Sequence, residues 1–404
     1  MPNIVYVLAD QLRARSLPAF GERQIDTPNI DRLAREGITF TNAVSTCPVC
    51  APYRSMLMTG REALETGHMM NNVRARHDEL SIADAFGGAG YRTGWVGKWH
   101  LYSAETREIV DFEYIPDGRD RLGFDCFRAY NYHTQFFDGP LCLDDGDHTR
   151  WSGYETTGLL PFVDQFLADS AAEPFLLFVS PHMPHHGGAI PGQGKGKGED
   201  LAPVTQDASA NGRLAPDHCL SRVPEEPVLP ANVPADMLPE AVDCYRDYLA
   251  MTVAVDDMVG AILQRLAQGE LLDDTIVVFG SDHGSLMGAH GLNPWQKRTP
   301  WEESISVPLF CRLPGGHRGG TVCDALVSPV DLFPTLCGLC DVDVPKSVSG
   351  RDQASVWLGS ETDAERDALF TYCIDDALLT ETTGPEWKGV RTKQWNYFRF
   401  LGGC

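Results

Sequence analysis

The segment NIVYVLAD, residues 3–10, is the stretch of the sequence that most strongly indicates the fold. It is a short and nearly continuous apolar run that ends in a carboxylate, Asp10. Such runs are typical of strands that are buried on both faces, as the strands of parallel sheets are. We therefore predict a central parallel strand that ends at Asp10.

Similar apolar runs recur along the chain, with helical patterns between them. The runs are TGWVGKWH (93–100), PFLLFVSPH (174–182), DTIVVFGSDHG (274–284) and VPLFCRLPG (307–315). The segment TPNIDRLAREG (27–37) begins with a Thr-Pro pair and stops at glycine, which is typical of a helix. This alternation predicts an α/β domain with a doubly wound, mostly parallel sheet that is flanked by helices.

The last part of the chain has a different pattern. The segments LFTYCID (369–375) and GVRTKQWNYFRF (389–400) look like short antiparallel strands. We predict a large α/β domain over residues 1–360 and a small C-terminal antiparallel subdomain over residues 361–404.

Potentially reactive side chains stand at the ends of the predicted parallel strands. They are Asp10, Lys98, His100, His182, Asp282 and His283. In open α/β sheets, ligands bind beyond the carboxyl ends of the strands. We therefore expect these six side chains along one edge of the sheet.

Composition limits the partners. The chain has 404 residues and a formal net charge of −23, which argues against nucleic acid or an anionic membrane as a partner. No apolar run approaches the roughly 20 residues of a membrane span, and the start MPNIVYVLAD has no visible signal peptide. We expect a cytoplasmic protein from the chain as written, or a periplasmic or secreted one if a precursor segment is missing.

Two nearby cysteines, Cys47 and Cys50, allow several interpretations. A zinc site would need a second ligand pair, which Cys337 and Cys340 could supply, although their segment resembles an apolar helix. A thioredoxin-like redox pair would need a fold context that is not apparent. The third interpretation is that Cys50 alone is catalytic.

The surrounding motifs favour this third interpretation. The segment CAPYR (50–54) matches C-x-P-x-R, whereas Cys47 does not begin such a pattern. Five further motifs lie before and after this segment. In chain order they are ADQ (9–11), GKWH (97–100), SPHMPH (180–185), GSDHG (280–284) and HGLNPWQKRTPWEES (290–304). Over most of its length the chain therefore resembles the type I, formylglycine-dependent sulfatases of the alkaline phosphatase superfamily.

The resemblance implies a sulfuric ester hydrolase that matures before it acts. A formylglycine-generating enzyme would oxidise Cys50 to formylglycine, an aldehyde whose hydrate carries two hydroxyls. One hydroxyl attacks sulfur and displaces the alcohol, and the other expels sulfate. Pro52 suits the first turn of a helix, which would place residue 50 at a positive helix end that favours a tetrahedral anion.

The resemblance also implies a metal centre. Its ligands would be Asp10, Gln11, Asp282 and His283, together with residue 50. Hard oxygen donors suit calcium, or alternatively magnesium. Many members of the family have a second aspartate at the position of Gln11, so the ligand set of this chain carries one negative charge fewer.

Further residues take roles by the same resemblance. Arg54 and Lys98 would orient formylglycine, and Lys297 would contact the sulfate group. His100 would act as the base that assists sulfate release. His182 would act as an acid or a hydrogen-bond donor toward the leaving group.

Three functions remain open at this point. The leading one is hydrolysis of a sulfate ester, with a sulfated carbohydrate as the preferred substrate. The second is hydrolysis of phosphonate monoesters or phosphodiesters with the same nucleophile, and the third is non-catalytic binding of a sulfated glycan. His290 is a candidate substrate contact, and a packed loop histidine is the alternative for it.

Overall fold

The structure is a computed structural model that describes residues 1–71, 73–102, 115–133, 135–186, 214–360, 366–374 and 386–401. Within them, a ten-stranded sheet forms the centre of the molecule, and a three-stranded sheet lies near the C-terminal end. The strand predicted at 3–10 is observed as β1 (Asn3–Ala9). It is the fifth strand of the large sheet, with a parallel neighbour on each side.

The large sheet is mixed, with parallel strands at its centre. Its strands are β1 (Asn3–Ala9), β2 (Ile38–Ala43), β3 (Arg92–Lys98), β4 (Cys126–Tyr130), β5 (Pro140–Cys142), β6 (His148–Arg150), β7 (Phe175–Ser180), β8 (Thr275–Ser281), β9 (Leu309–Arg312) and β10 (Thr321–Val327). Their order is β10-β2-β9-β8-β1-β7-β3-β4-β5-β6. The five strands from β8 to β4 are all parallel, whereas β9 runs antiparallel to both of its neighbours.

Helices lie between these strands along the chain. They are α1 (Pro28–Glu36), α2 (Cys50–Thr59), α3 (Ala63–Thr66), α4 (Ile82–Gly88), α5 (Glu155–Gly158), α6 (Leu160–Asp169), α7 (Asp217–Leu220), α8 (Leu238–Gln268), α9 (Glu302–Ile305), α10 (Pro329–Cys340) and α11 (Ala354–Trp357). The helix predicted at 27–37 is α1. Among the described residues, no helix combines the length and the apolar character that crossing a membrane requires.

Side chains of β1 alternate between two apolar layers. Val5 and Val7 pack in one buried cluster with residues of α1, α6 and α8. Ile4, Tyr6 and Leu8 pack in the other, with residues of α2, α4 and α10. Because helices cover both faces, the predicted doubly wound α/β fold is confirmed.

The small sheet consists of β11 (Leu369–Cys373), β12 (Trp387–Arg391) and β13 (Asn396–Phe400), all antiparallel. The predicted C-terminal antiparallel strands are thus confirmed, although Asp375 lies outside the described residues. A subdomain boundary at residue 360 stays a prediction.

The small sheet packs against the segment that leads into α2. The Tyr372 N–H donates to the Thr46 carbonyl oxygen at 2.8 Å. Tyr372 and Trp387 also share a buried apolar cluster with Cys47 and Val49. The C-terminal strands therefore support the loop that delivers Cys50 to its place.

Gly97, the residue before Lys98, is the point where β3 most restricts substitution. Its φ is +105°, and a Cβ there would overlap the carbonyl oxygen of Ser180 on the neighbouring strand. We predict that Gly97→Ala lowers the free energy of unfolding by about 1–3 kcal/mol through backbone strain and further through the overlap. Denaturant unfolding would measure the loss.

Gly90→Ala provides the matched control. Gly90 also has a positive φ, +87°, but a Cβ there would have no neighbour within 4 Å. This variant should show the cost of backbone strain alone. Equal losses in the two variants would contradict the importance of the close approach between Gly97 and Ser180.

Candidate active site

The carboxyl ends of four adjacent strands deliver the predicted residues to one place. Asp10 follows β1, Lys98 ends β3, His182 follows β7 and Asp282 follows β8, and all four are fully buried. The strands are neighbours in the order β8-β1-β7-β3. The expected edge of the sheet is therefore where the structure places them.

Arg54, one turn into α2, ties these strand ends together. Its Nη2 lies 3.3 Å from Asp10 Oδ2, and its Nε lies 3.3 Å from Asp282 Oδ2. Its Nη1 donates to the carbonyl oxygen of Lys98 at 2.8 Å and to Ser180 Oγ at 2.9 Å. A single buried guanidinium thus contacts residues from four strand ends.

Asp10 is held as a carboxylate by its cationic neighbours. Lys98 Nζ contacts Asp10 Oδ2, and both side chains are completely buried. Burial opposes ionisation, but Lys98, with additional contributions from Arg54 and Lys297, holds the pKa of Asp10 well below its usual value. The carboxylate is therefore available as a ligand for a cation.

Cys50 is the first residue of α2, and its sulfur faces charged groups. Lys297 Nζ and His283 Nε2 each lie 3.0 Å from Cys50 Sγ, and Asp10 Oδ1 lies 3.9 Å away. Burial and Asp10 raise the pKa of this thiol, but Lys297, Lys98 and His283 outweigh them and lower it. The positive end of a ten-residue helix acts in the same direction.

Four side chains form a candidate metal site. Each places one ligand atom within 4.8 Å of the others, and all are buried: Asp10, Cys50, Asp282 and His283. The Nδ1 of His283 lies 3.0 Å from the Gly284 carbonyl oxygen, which places the proton on Nδ1 and directs the Nε2 lone pair at the cluster.

Gln11 stands next to Asp10 and is a further candidate oxygen ligand. Its φ of +67° turns the chain directly after Asp10. Its Nε2 donates to Ser285 Oγ at 2.9 Å and to the Trp295 carbonyl oxygen at 2.8 Å, while its Oε1 lies 3.3 Å from Lys297 Nζ. Two carboxylates, an amide oxygen and an imidazole are a donor set that fits a divalent cation.

Three histidines surround the ring of Tyr132. The ring centroids of His100, His182 and His185 lie 4.8, 5.6 and 6.1 Å from that of Tyr132, and Lys98 Nζ lies 4.9 Å above it. Burial, together with the nearby lysines, lowers the pKa of all three histidines well below its usual value. These imidazoles are therefore neutral.

Some ring nitrogens of these histidines have no hydrogen-bond partner among the described residues. Among the described residues, both ring nitrogens of His182 and Nδ1 of His100 are buried and have no hydrogen-bond partner. By contrast, Nε2 of His185 lies 2.9 Å from Lys297 Nζ. His185, the second histidine of the SPHMPH segment, thus also touches the site, although a role was predicted from the sequence only for His182.

His290 lies in different surroundings. Its ring stacks on Trp301 with centroids 4.3 Å apart, and its Nε2 lies 3.2 Å from Glu303 Oε2 and 3.4 Å from Asn232 Nδ2. None of these partners belongs to the cluster around Cys50. The described contacts are those of a packed loop histidine, and a contact with substrate stays a prediction.

The zinc interpretation of the paired cysteines finds no support. Cys337 and Cys340 lie in α10 and pack in the apolar cluster that contains Ile4. Cys47 belongs to a separate apolar cluster, and burial raises its pKa well above the usual value. Within the described residues, neither cluster of potential metal ligands contains any of these three cysteines.

One residue of the site was missed in the sequence. Glu155 is fully buried at the start of α5, where its Oε1 accepts the Tyr130 hydroxyl at 2.6 Å and the His182 N–H at 2.8 Å. Burial raises the pKa of Glu155 from 4.5 to about 7. It stands in no recognisable motif, so only its position behind His182 reveals it.

Family models and individual relatives identify the family of this chain. The sulfatase family model matches residues 2–342, and a model of the N-sulphoglucosamine sulphohydrolase C-terminal region matches residues 288–403. An ulvan-active sulfatase of Formosa agariphila is 32% identical over 409 residues, covering 100% of this chain and 73% of the relative. An N-acetylglucosamine-6-O-sulfatase of Bacteroides thetaiotaomicron is 26% identical, covering 86% of this chain and 69% of the relative.

A solved structure has a similar fold. It comes from work on the metabolism of multiple glycosaminoglycans by Bacteroides thetaiotaomicron, and it superposes with a TM-score of 0.82 at 25% identity. The match covers 97% of this chain and 85% of the other. With the family model matching most of its length, the chain belongs to the sulfatase family.

Proposed function

We propose that this sulfuric ester hydrolase releases sulfate from a sulfated carbohydrate and that residue 50 acts as formylglycine. The observation that carries the proposal is the position of Cys50. Its Sγ lies at a helix N-terminus, 3.0 Å from both Lys297 Nζ and His283 Nε2, beside two buried carboxylates. This is where a nucleophile, a cation and the anionic group of a substrate can meet.

The metal ligands of the proposal are Asp10, Gln11, Asp282 and His283, with residue 50 completing the set. Calcium is the preferred ion because most of the donors are oxygen, and magnesium is the alternative. When bound, such a cation supplies Lewis acidity toward a sulfate oxygen and lowers the pKa of an attached hydroxyl.

The cationic side chains divide two tasks. Arg54 and Lys98 are fully buried and directed at carboxylates, so they hold the ligands in place. Lys297 donates to Cys50 Sγ and to the Gln11 amide oxygen, so its ammonium is placed to donate to a sulfate oxygen as well. We assign sulfate binding to Lys297, and we assign to Arg54 and Lys98 the positioning of the carboxylates beside residue 50.

The histidines take the proton-transfer roles. A neutral His100 can accept a proton, as the proposed base for sulfate release must. The depressed pKa of His182 supports a hydrogen-bond donor rather than a charged acid on the leaving-group side. Its unpartnered ring nitrogens are available for that bond.

The sulfated-carbohydrate part of the proposal draws on the relatives. One of them is an ulvan-active sulfatase, and another is an N-acetylglucosamine-6-O-sulfatase. The alternatives, a phosphonate monoester or phosphodiester hydrolase and a non-catalytic glycan-binding protein, are outcomes of the tests below.

Conversion of residue 50 is the first test. We predict that protein made with a formylglycine-generating enzyme carries formylglycine at residue 50 and a thiol at residue 47, because only Cys50 begins C-x-P-x-R. Peptide mass spectrometry reads both positions. Cys47→Ala is the matched control and should retain conversion and turnover, whereas Cys50→Ala should abolish both. Active protein with an unmodified Cys50 would overturn the mechanism.

Substrate class is the second test. We predict a higher kcat/KM for a sulfate ester than for a phosphonate monoester or phosphodiester with the same leaving group, at known formylglycine occupancy. A panel of sulfated sugars should then include a better substrate than any aryl sulfate. A phosphonate or diester preference that persists across leaving groups, with no sugar sulfate hydrolysed, would favour the alternative activity.

Glu155 provides the third test, because it fixes the backbone of His182. We predict that Glu155→Leu slows esters with poor leaving groups more than activated aryl esters and destabilises the protein by about 1–3 kcal/mol, since two buried donors lose their acceptor. Glu155→Gln keeps an acceptor oxygen and should retain most activity. Equal slowing of all esters by Glu155→Leu would contradict a role at the leaving group.

The same residue predicts a pH dependence of stability. The folded-state pKa of Glu155, about 7, is above its ordinary value of 4.5, so the folded state binds the proton more tightly. This contribution to stability is complete below pH 4.5 and is lost as the pH rises to about 7. Thermal unfolding of wild type should show this loss, and Glu155→Gln should show less of it.

A further inference from the structure

The metal ion that the cluster around Cys50 favours depends on whether residue 50 is a cysteine or a formylglycine. Before conversion the cluster contains a thiol, an imidazole and two carboxylates, all fully buried. After the proposed conversion, the only sulfur is gone. Sulfur and nitrogen ligands favour zinc, whereas oxygen ligands favour calcium and magnesium.

The distances fit a small tetrahedral ion. Zinc bonds of about 2.0–2.3 Å hold tetrahedral ligand atoms roughly 3.3–3.7 Å apart. Here Cys50 Sγ lies 3.0 Å from His283 Nε2 and 3.9 Å from Asp10 Oδ1. His283 Nε2 lies 3.9 Å from Asp10 Oδ1 and 3.7 Å from Asp282 Oδ1. The two remaining pairs of ligand atoms, those that join Asp282 to Cys50 and to Asp10, lie within 4.8 Å. Side-chain shifts of about 1 Å would therefore bring the four atoms to the spacing that a zinc ion requires.

The orientation of the two carboxylates also suits a zinc ion shared by the four side chains. Both cations that pair with Asp10, Lys98 and Arg54, contact its Oδ2, and Arg54 also contacts Oδ2 of Asp282. Oδ1 of Asp10 therefore faces the sulfur and the imidazole. Oδ1 of Asp282 lies 3.7 Å from the imidazole, and it also accepts the N–H groups of Gln11 and His283 at 2.9 Å. The hydrogen bond from His283 Nδ1 to Gly284 leaves Nε2 as the ligand atom.

Lys297 also contacts the sulfur. Its Nζ lies 3.0 Å from Cys50 Sγ, and also 3.3 Å from Gln11 Oε1 and 2.9 Å from His185 Nε2. It therefore keeps two acceptors when a metal ion takes the sulfur. The thiol proton leaves to solvent as the sulfur–metal bond forms.

We propose that the chain as encoded, with Cys50 unconverted, binds zinc through Asp10, Cys50, Asp282 and His283, and that conversion of Cys50 changes the preference of the site to a hard cation. The proposal deepens the proposed function because it concerns the same residues at an earlier stage. Its test uses no turnover, so the two proposals can fail separately.

The experiment uses the full chain produced without a formylglycine-generating enzyme, with Cys50 verified by peptide mass spectrometry. Cobalt(II) serves as the spectroscopic probe for zinc. We expect a thiolate-to-cobalt charge-transfer band in the near ultraviolet and, after dialysis against excess calcium, one retained zinc ion per chain. Converted protein should lack the band and retain calcium.

Three variants make the assignment specific. Cys50→Ser should remove the band and weaken zinc binding at least about tenfold, since even an outer partner of a metal ligand is worth that much. Cys47→Ser, a neighbouring thiol outside the cluster, should retain both. Cys219→Ser should also retain them, which excludes the second candidate cluster of His218, Cys219 and Asp257.

A measurement on the unaltered chain guards against misfolding of the variants. Zinc, but not calcium, should slow alkylation of Cys50 relative to Cys244, a half-buried thiol outside both candidate clusters, in the same sample. A cobalt spectrum without a thiolate band, a band that persists in Cys50→Ser or disappears in Cys219→Ser, or equal alkylation with zinc and calcium would overturn the proposal.

Discussion

The buried guanidinium of Arg54 is the interaction on which the rest of the site depends. It contacts two carboxylates, a backbone carbonyl and a hydroxyl, each from a different strand end. Removing one member of such a buried charge cluster leaves an uncompensated charge and costs about 3–5 kcal/mol. The position of Arg54 is in turn fixed by α2, so the helix that presents Cys50 also holds the two carboxylates of the candidate metal site.

The sequence predicted the fold well where a single physical pattern determines it. The run at 3–10 has to be buried on both faces, and the structure places it among parallel strands with an apolar layer on each side. Short edge strands such as β5 and β6 have three residues each and no comparable pattern, so they were not predicted. The antiparallel direction of β9 depends on its path between β8 and β2, which local sequence does not encode.

Some residues of the candidate site could be predicted from the sequence, and others could not. Asp10, Lys98, His182 and Asp282 were predictable because strand ends in a parallel sheet converge at one edge. Glu155 was not, because its significance depends on complete burial and on a contact with the backbone of His182. His290 begins the segment HGLNPWQKRTPWEES, which resembles a sulfatase motif. Its ring nevertheless stacks on Trp301 and not on a residue of the cluster around Cys50.

Charge explains how so acidic a chain can still attract an anionic substrate. The formal net charge of the whole chain is −23, and its long-range field opposes the approach of any anion. Within the cluster, however, the cations Arg54, Lys98 and Lys297 outnumber the carboxylates Asp10 and Asp282. A divalent cation would add to that positive excess. Because Gln11 is uncharged, whereas a second aspartate at this position would be negative, the positive excess is larger still. Screening in salt weakens the long-range repulsion between surface charges and substrate, whereas the buried contacts are screened much less. We therefore expect the local attraction to dominate once a sulfate group reaches the strand ends.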